Sequence, residues 1–221
     1  MAHHPHIEEQ FVSVNGRKLH YAVAGQEDHP AILLVHGAHP SLNWKVWDLN
    51  IGPLAESLHV FALDMPGYGQ SAQHEGVTLE PYPFEHFAMT LVDFIADLRI
   101  GPATLVGSSA GGGSALLATA NNPALVQRLV LVDSNGAKNE MLRQCASEIR
   151  SPTLLIWQEG DEVHPVEDGR ALAALIPGSR FELLQGIDQP APEQQNYHNH
   201  WPHRLNPERF NRLVLDFVKT P

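Results

Sequence analysis

The chain has 221 residues, 43% of them hydrophobic and 18% charged, with a formal net charge of −11. That length and balance suit one globular domain with a sizeable core and exclude a disordered chain. The acidic balance without a basic patch argues against nucleic-acid binding, and no apolar run approaches the length of a membrane span. The opening residues lack the basic and apolar regions of a signal peptide, so a cytoplasmic location is expected. Residues 1–9 are expected to be disordered, and His3, His4 and His6 are set aside from the chemistry. The single cysteine, Cys145, cannot form an internal disulfide, and its surroundings read as a buried helical position.

In chain order, Phe11–Val14 and Lys18–Ala24 flank Asn15-Gly16, a strong hairpin signal, so the chain opens with an antiparallel pair. Ala31–Val35 and Val60–Asp64 are short apolar runs of the kind that form strands buried on both faces. Between them lie Trp44 and Trp47, whose spacing suits either a site wall or a helix packed on the sheet. Phe84 to Leu98 carries an apolar stripe at helical spacing and stops before Gly101-Pro102. Ala103–Val106 then leads into Gly107-Ser108-Ser109-Ala110-Gly111 and a helix of small residues from Ala110 to Ala120. Strands follow at Leu129–Asp133, Thr153–Trp157 and Arg180–Leu184, with helices at Asn139–Ile149, Val166–Leu175 and Pro207–Val218. In the last of these, Asn206-Pro207-Glu208 reads as N-cap, proline at the first helical position and an acidic first turn. This alternation predicts an α/β fold with an eight-stranded, mostly parallel sheet and helices on both faces.

The Gly-x-Ser-x-Gly pentapeptide stands between a strand and a helix, the context of a nucleophile elbow. That turn forces Ser109 into a strained backbone with its hydroxyl exposed, and the flanking glycines remove side chains that would collide. A serine hydroxyl is a poor nucleophile near neutral pH, so it needs a histidine to take its proton and an acid to orient that histidine. Asp161 follows the Thr153–Trp157 run, and His198, His200 and His203 follow Arg180–Leu184, giving the chain order Ser, Asp, His. In open α/β sheets chemistry collects at the carboxyl ends of strands, and each of these residues follows a strand.

Together with His36-Gly37, Asp64-Met65-Pro66-Gly67-Tyr68-Gly69-Gln70-Ser71 and the His200-Trp201-Pro202 ending, these pieces make the chain resemble the α/β-hydrolase superfamily over nearly its whole length. The end of the chain is similar to that of meta-cleavage-product hydrolases. The resemblance implies an α/β-hydrolase fold and a serine esterase with Ser109, Asp161 and His200 as its triad. Backbone N–H groups of Ala38 and Ala110 would form the oxyanion hole. Asp133 is the rival acid, because some relatives place the acid there, and His198 and His203 are rivals to His200. His36 and Asp64 would be structural. The substrate would be a small ester or acyl compound, with no cofactor or metal; His198-x-His200-x-x-His203 lacks a cysteine or carboxylate at ligand spacing. Serine rather than aspartate at the elbow disfavours a dehalogenase.

Two departures from the family pattern bear on function. Only Ser134 to Pro152 separates the sixth strand from the seventh, too little for the helical cap that most relatives insert there. Residues 187–199 form an inserted loop before His200, and Asn199 stands where relatives usually have glycine. The capless site is expected to be open, and the reading leaves room for a fold-retaining scaffold without turnover.

Overall fold

The computed structural model describes residues 5–71, 82–187 and 199–220. The sheet has eight strands: β1 (Glu8–Val14), β2 (Arg17–Ala24), β3 (Ala31–Val35), β4 (His59–Leu63), β5 (Ala103–Ser108), β6 (Val126–Val132), β7 (Thr153–Gln158) and β8 (Arg180–Leu184). Their spatial order is β1-β2-β4-β3-β5-β6-β7-β8. β2 pairs antiparallel with both β1 and β4, and every other pair is parallel.

The predicted strands are all present, and the amino-terminal expectation needs one correction. Glu8 and Glu9, assigned to a disordered stretch, begin β1 and pair with Val23 and Ala22. An edge strand that is mostly exposed carries little apolar signal. Its order comes from the backbone bonds that β2 supplies across the hairpin, whose turn residues Asn15 and Gly16 have φ of 49° and 76°.

The helices are α1 (Asp48–Ala55), α2 (Phe84–Asp97), α3 (Ala110–Asn121), α4 (Glu140–Glu148), α5 (Val166–Leu175), α6 (Pro202–Leu205) and α7 (Pro207–Lys219). Alternation along the strands divides the interior into two layers. Leu33, Val35, Leu105, Leu129 and Leu131 pack with Phe87, Leu91 and Phe94 of α2 and Leu116 of α3. Ile32, Leu34, Val106, Val130 and Ile156 face the other way, onto Ile51 and Leu54 of α1 and Phe210 and Val214 of α7. Trp47 lies fully buried in that second layer, so it packs a helix on the sheet. Helix α1 gave no sequence signal because Gly52 and Pro53 interrupt it; burial of Ile51 and Leu54 holds it. Cys145 is a half-buried thiol on α4, and burial pushes its pKa up.

No large cap follows β6, because residues 133–139 lead directly into α4. Among the described residues no helix is long and apolar enough to cross a membrane.

Candidate active site

The candidate residues lie at the carboxyl ends of the parallel strands. Ser109 directly follows β5 with φ 54° and ψ −123°, a left-handed backbone that a non-glycine residue rarely adopts. Its N–H donates to Val132 O at 2.9 Å, and its carbonyl accepts from Asn135 N at 3.0 Å and Gly112 N at 3.1 Å. The strained turn is therefore clamped from β6 and from the first turn of α3. Gly111 makes the close approach: a Cβ there would stand 2.2 Å from His36 O.

The loop after β3 runs beside this turn. A Cβ on Gly37 would lie 3.0 Å from Ser109 Cβ and 3.5 Å from its Oγ, so the backbone carrying Ala38 passes next to the serine. Ala110 is the first residue of α3, where helix N–H groups have no partner within the helix. His36 is buried and holds this loop: it accepts from Met65 N through Nε2 at 3.0 Å and donates from Nδ1 to Gly37 O at 2.8 Å. Burial lowers its pKa, which keeps that neutral tautomer. Asp64 ties the neighbouring loop, accepting from Trp44 N, Gln70 N and the ring of His20 at 2.7, 2.9 and 2.8 Å. Both residues are structural, as the sequence implies. The buried His20 was not singled out, because it sits in a strand with no motif around it.

Asp161 follows β7 and is 4% exposed. Its Oδ1 accepts from Val163 N at 2.7 Å and His164 N at 3.1 Å, and its Oδ2 accepts from His200 Nδ1 at 2.8 Å. An ionised carboxylate only accepts, so the proton of neutral His200 sits on Nδ1 and the lone pair on Nε2. Nε2 is buried and has no hydrogen-bond partner among the described residues.

Asn199 precedes His200 with φ 61°, a left-handed position that asparagine tolerates better than most residues. The chain beyond is pinned by Arg204, whose Nη1 donates to Val46 O at 3.1 Å and to Asp48 Oδ1 at 2.7 Å. Asn206 stands before α7 as predicted, but its side chain makes no cap bond. It donates to Gln158 Oε1 at 2.7 Å and Gly186 O at 3.1 Å, joining the end of β7 to the histidine segment.

The rivals are placed as follows. His203 is buried against Trp47, with ring centroids 4.1 Å apart, and burial holds its pKa well below normal. His198 and most of the 187–199 insertion lie outside the described residues. Asp133, the rival acid, is fully buried at the end of β6 and accepts from Gln158 N at 2.9 Å. His164 was missed by the sequence reading. Its ring lies 5.2 Å from that of His200, and burial, reinforced by His200, pushes its pKa down to about 4. A groove of about 260 Å³, lined by Asn135, Lys138, His164 and Asp168 among others, runs beside it. A larger cavity, about 700 Å³, includes Glu27, His59 and Arg99 and none of the predicted site residues.

A family model of the α/β-hydrolase fold matches residues 30–146, more than half of the chain. The protein belongs to the α/β-hydrolase family. It is 32% identical to the AB hydrolase superfamily protein YfhM of Bacillus subtilis over 128 residues, 58% of this chain and 43% of that protein. It therefore spans less than half the length of YfhM. It is 23% identical, over 92% of each chain, to the Escherichia coli 2-hydroxy-6-oxononadienedioate/2-hydroxy-6-oxononatrienedioate hydrolase. Among solved structures, a predicted CIB-like hydrolase from Thermoplasma acidophilum superposes with a TM-score of 0.84 at 27% identity, covering 97% of this chain and 98% of that one.

Proposed function

We propose that the protein is a serine hydrolase that cleaves a carboxylic ester or related acyl compound through an acyl-enzyme. Ser109 is the nucleophile, His200 the general base and Asp161 its orienting acid; the N–H groups of Ala38 and Ala110 receive the oxyanion. The observation that carries the reading is the 2.8 Å Asp161–His200 bond, which leaves Nε2 as the ring's free nitrogen, at the same carboxyl end of the sheet as a serine held at φ 54°. Nε2 takes the Ser109 proton as Oγ attacks the acyl carbon, and the imidazolium returns it to the leaving group. Water then repeats the sequence to release the acid. Asp161 supports the imidazolium by charge and by fixing the tautomer.

A fluorophosphonate probe tests this directly, with mass spectrometry to locate the label. Label on Ser109, with Ser109→Ala lowering kcat about 10⁴-fold on a p-nitrophenyl ester and Ser108→Ala far less, is the expected result. Label on Ser108 would show the wrong register. No label and no turnover would favour a scaffold.

A second reading, C–C bond hydrolysis of a meta-cleavage product, is favoured by the match along 92% of the Escherichia coli hydrolase. The direct passage from β6 to α4 weighs against it, because it leaves such a substrate uncovered. Turnover of a 2-hydroxy-6-oxodienoate with inert esters would reverse the order of the two readings.

A further inference from the structure

The site contains two buried carboxyl groups where one orienting acid suffices. One carboxylate oxygen each from Asp133 and Asp161 and one ring nitrogen of His200 lie within 4.8 Å of one another. Asp133 has no exposed surface. Its Oδ1 accepts from Gln158 N, while its Oδ2 is buried with no hydrogen-bond partner among the described residues. Its backbone has φ 40°, so strain appears at the end of β6 as well as at Ser109 and Asn199. Non-glycine residues in this conformation cluster at functional sites.

We propose that Asp133 is a positioning residue of the triad: a second buried carboxyl that steadies Asp161 and serves as the reserve carboxylate for His200 when Asp161 is removed. The inference rests on the triad proposed above. Two buried carboxylates this close do not both ionise. Asp161 takes the charge, because it accepts two backbone N–H groups and the His200 ring, whereas Asp133 has one backbone donor. Burial first, and then the charge of Asp161, hold the Asp133 carboxyl well above its ordinary range, so it keeps its proton. Two further ionisable side chains act on His200, His164 and His203, and burial lowers the pKa of both, so each stays neutral. When Asp161 is replaced by a neutral side chain, the Coulomb penalty on Asp133 disappears. Asp133 then releases its proton to solvent, and its carboxylate accepts the Nδ1 proton of His200.

A double-mutant cycle in the full chain tests this, with kcat/KM measured on a p-nitrophenyl ester across pH. An asparagine side chain mimics the neutral acid, so Asp133→Asn is expected to cost about threefold in the otherwise native protein. Asp161→Asn is expected to cost about 10²-fold, and the double variant about 10⁴-fold, the loss typical of a triad without any acid. The residual activity of Asp161→Asn should rise with pH along an ionisation that the double variant lacks. A purely structural Asp133 would produce no such limb. If Asp133→Asn costs the same factor in both backgrounds, or Asp161→Asn is already as inactive as the double variant, the proposal is wrong. Should Asp161→Asn fail to fold by thermal melt, Asp161→Ala repeats the comparison. Native protein that neither labels at Ser109 nor turns over ester would remove the underlying reading; active native protein with an additive cycle removes only the role of Asp133.

Discussion

Replacing Gly111 by alanine should damage the fold and the chemistry together. The added Cβ would lie 2.2 Å from His36 O, 2.8 Å from Val35 O and 3.0 Å from His36 C. Carbon contacts are comfortable at roughly 3.5 Å, so the backbones must part by about 1 Å. No side-chain rotation relieves the clash, because all three of these atoms are backbone at the end of β3, which is held on both sides by β4 and β5. Overpacking of this severity costs about 3 kcal/mol, the upper end of the usual range. Alanine returns about 1 kcal/mol through its higher helix propensity. The net loss of about 2 kcal/mol corresponds to a fall of roughly 4–8 °C in Tm for a chain of this size. The shift also moves Gly37 relative to Ser109, and a displacement near 1 Å at a reacting centre costs about 10²-fold in kcat. Circular dichroism melts and p-nitrophenyl acetate kinetics measure both effects. A Tm within about 1 °C of the native value, with kcat within about twofold, would refute the packing argument.

Three further outcomes are expected. His200→Ala should lower kcat nearly as far as Ser109→Ala; a much milder loss than for Ser109→Ala would dismiss His200 as the base. Thermal stability should fall as pH is lowered from neutrality through 6.5. His36, His164 and His203 remain neutral in the folded protein because burial lowers their pKa, while the unfolded chain takes up those protons below the ordinary imidazole value of 6.5. The raised pKa of Asp133 contributes the opposite slope above 3.8 but is one proton against these three. His203→Phe should flatten the dependence, and a slope identical to native would contradict the assignment. Finally, the direct β6–α4 connection leaves few walls for a long acyl chain, so among p-nitrophenyl esters from about C2 to C16 activity should peak at the short end. An optimum at long chains would point to a cover over the site.

The sequence alone determined the strands that are apolar throughout, the strand–turn–helix context of Ser109 and the chain order of the candidate triad. These are local: periodicity and turn chemistry write them into consecutive residues. It did not determine helix α1, where burial of Ile51 and Leu54 overrides the interruption by Gly52 and Pro53. Nor did it place Glu8 and Glu9 in β1, because an exposed edge strand is ordered by its partner. The choice among histidines was a tertiary decision. His200 and His203 lie three residues apart, yet one bonds to Asp161 and the other stacks on Trp47. That difference depends on Asn199 turning through φ 61° and on Arg204 anchoring the segment to Val46 and Asp48. The pairing of Asp133 with Asp161 likewise arises only when β6 and β7 lie side by side, bringing together two carboxyls that the sequence treats as alternatives. Contacts between groups far apart in the chain depend on the packed geometry of the sheet, and no local pattern encodes that geometry.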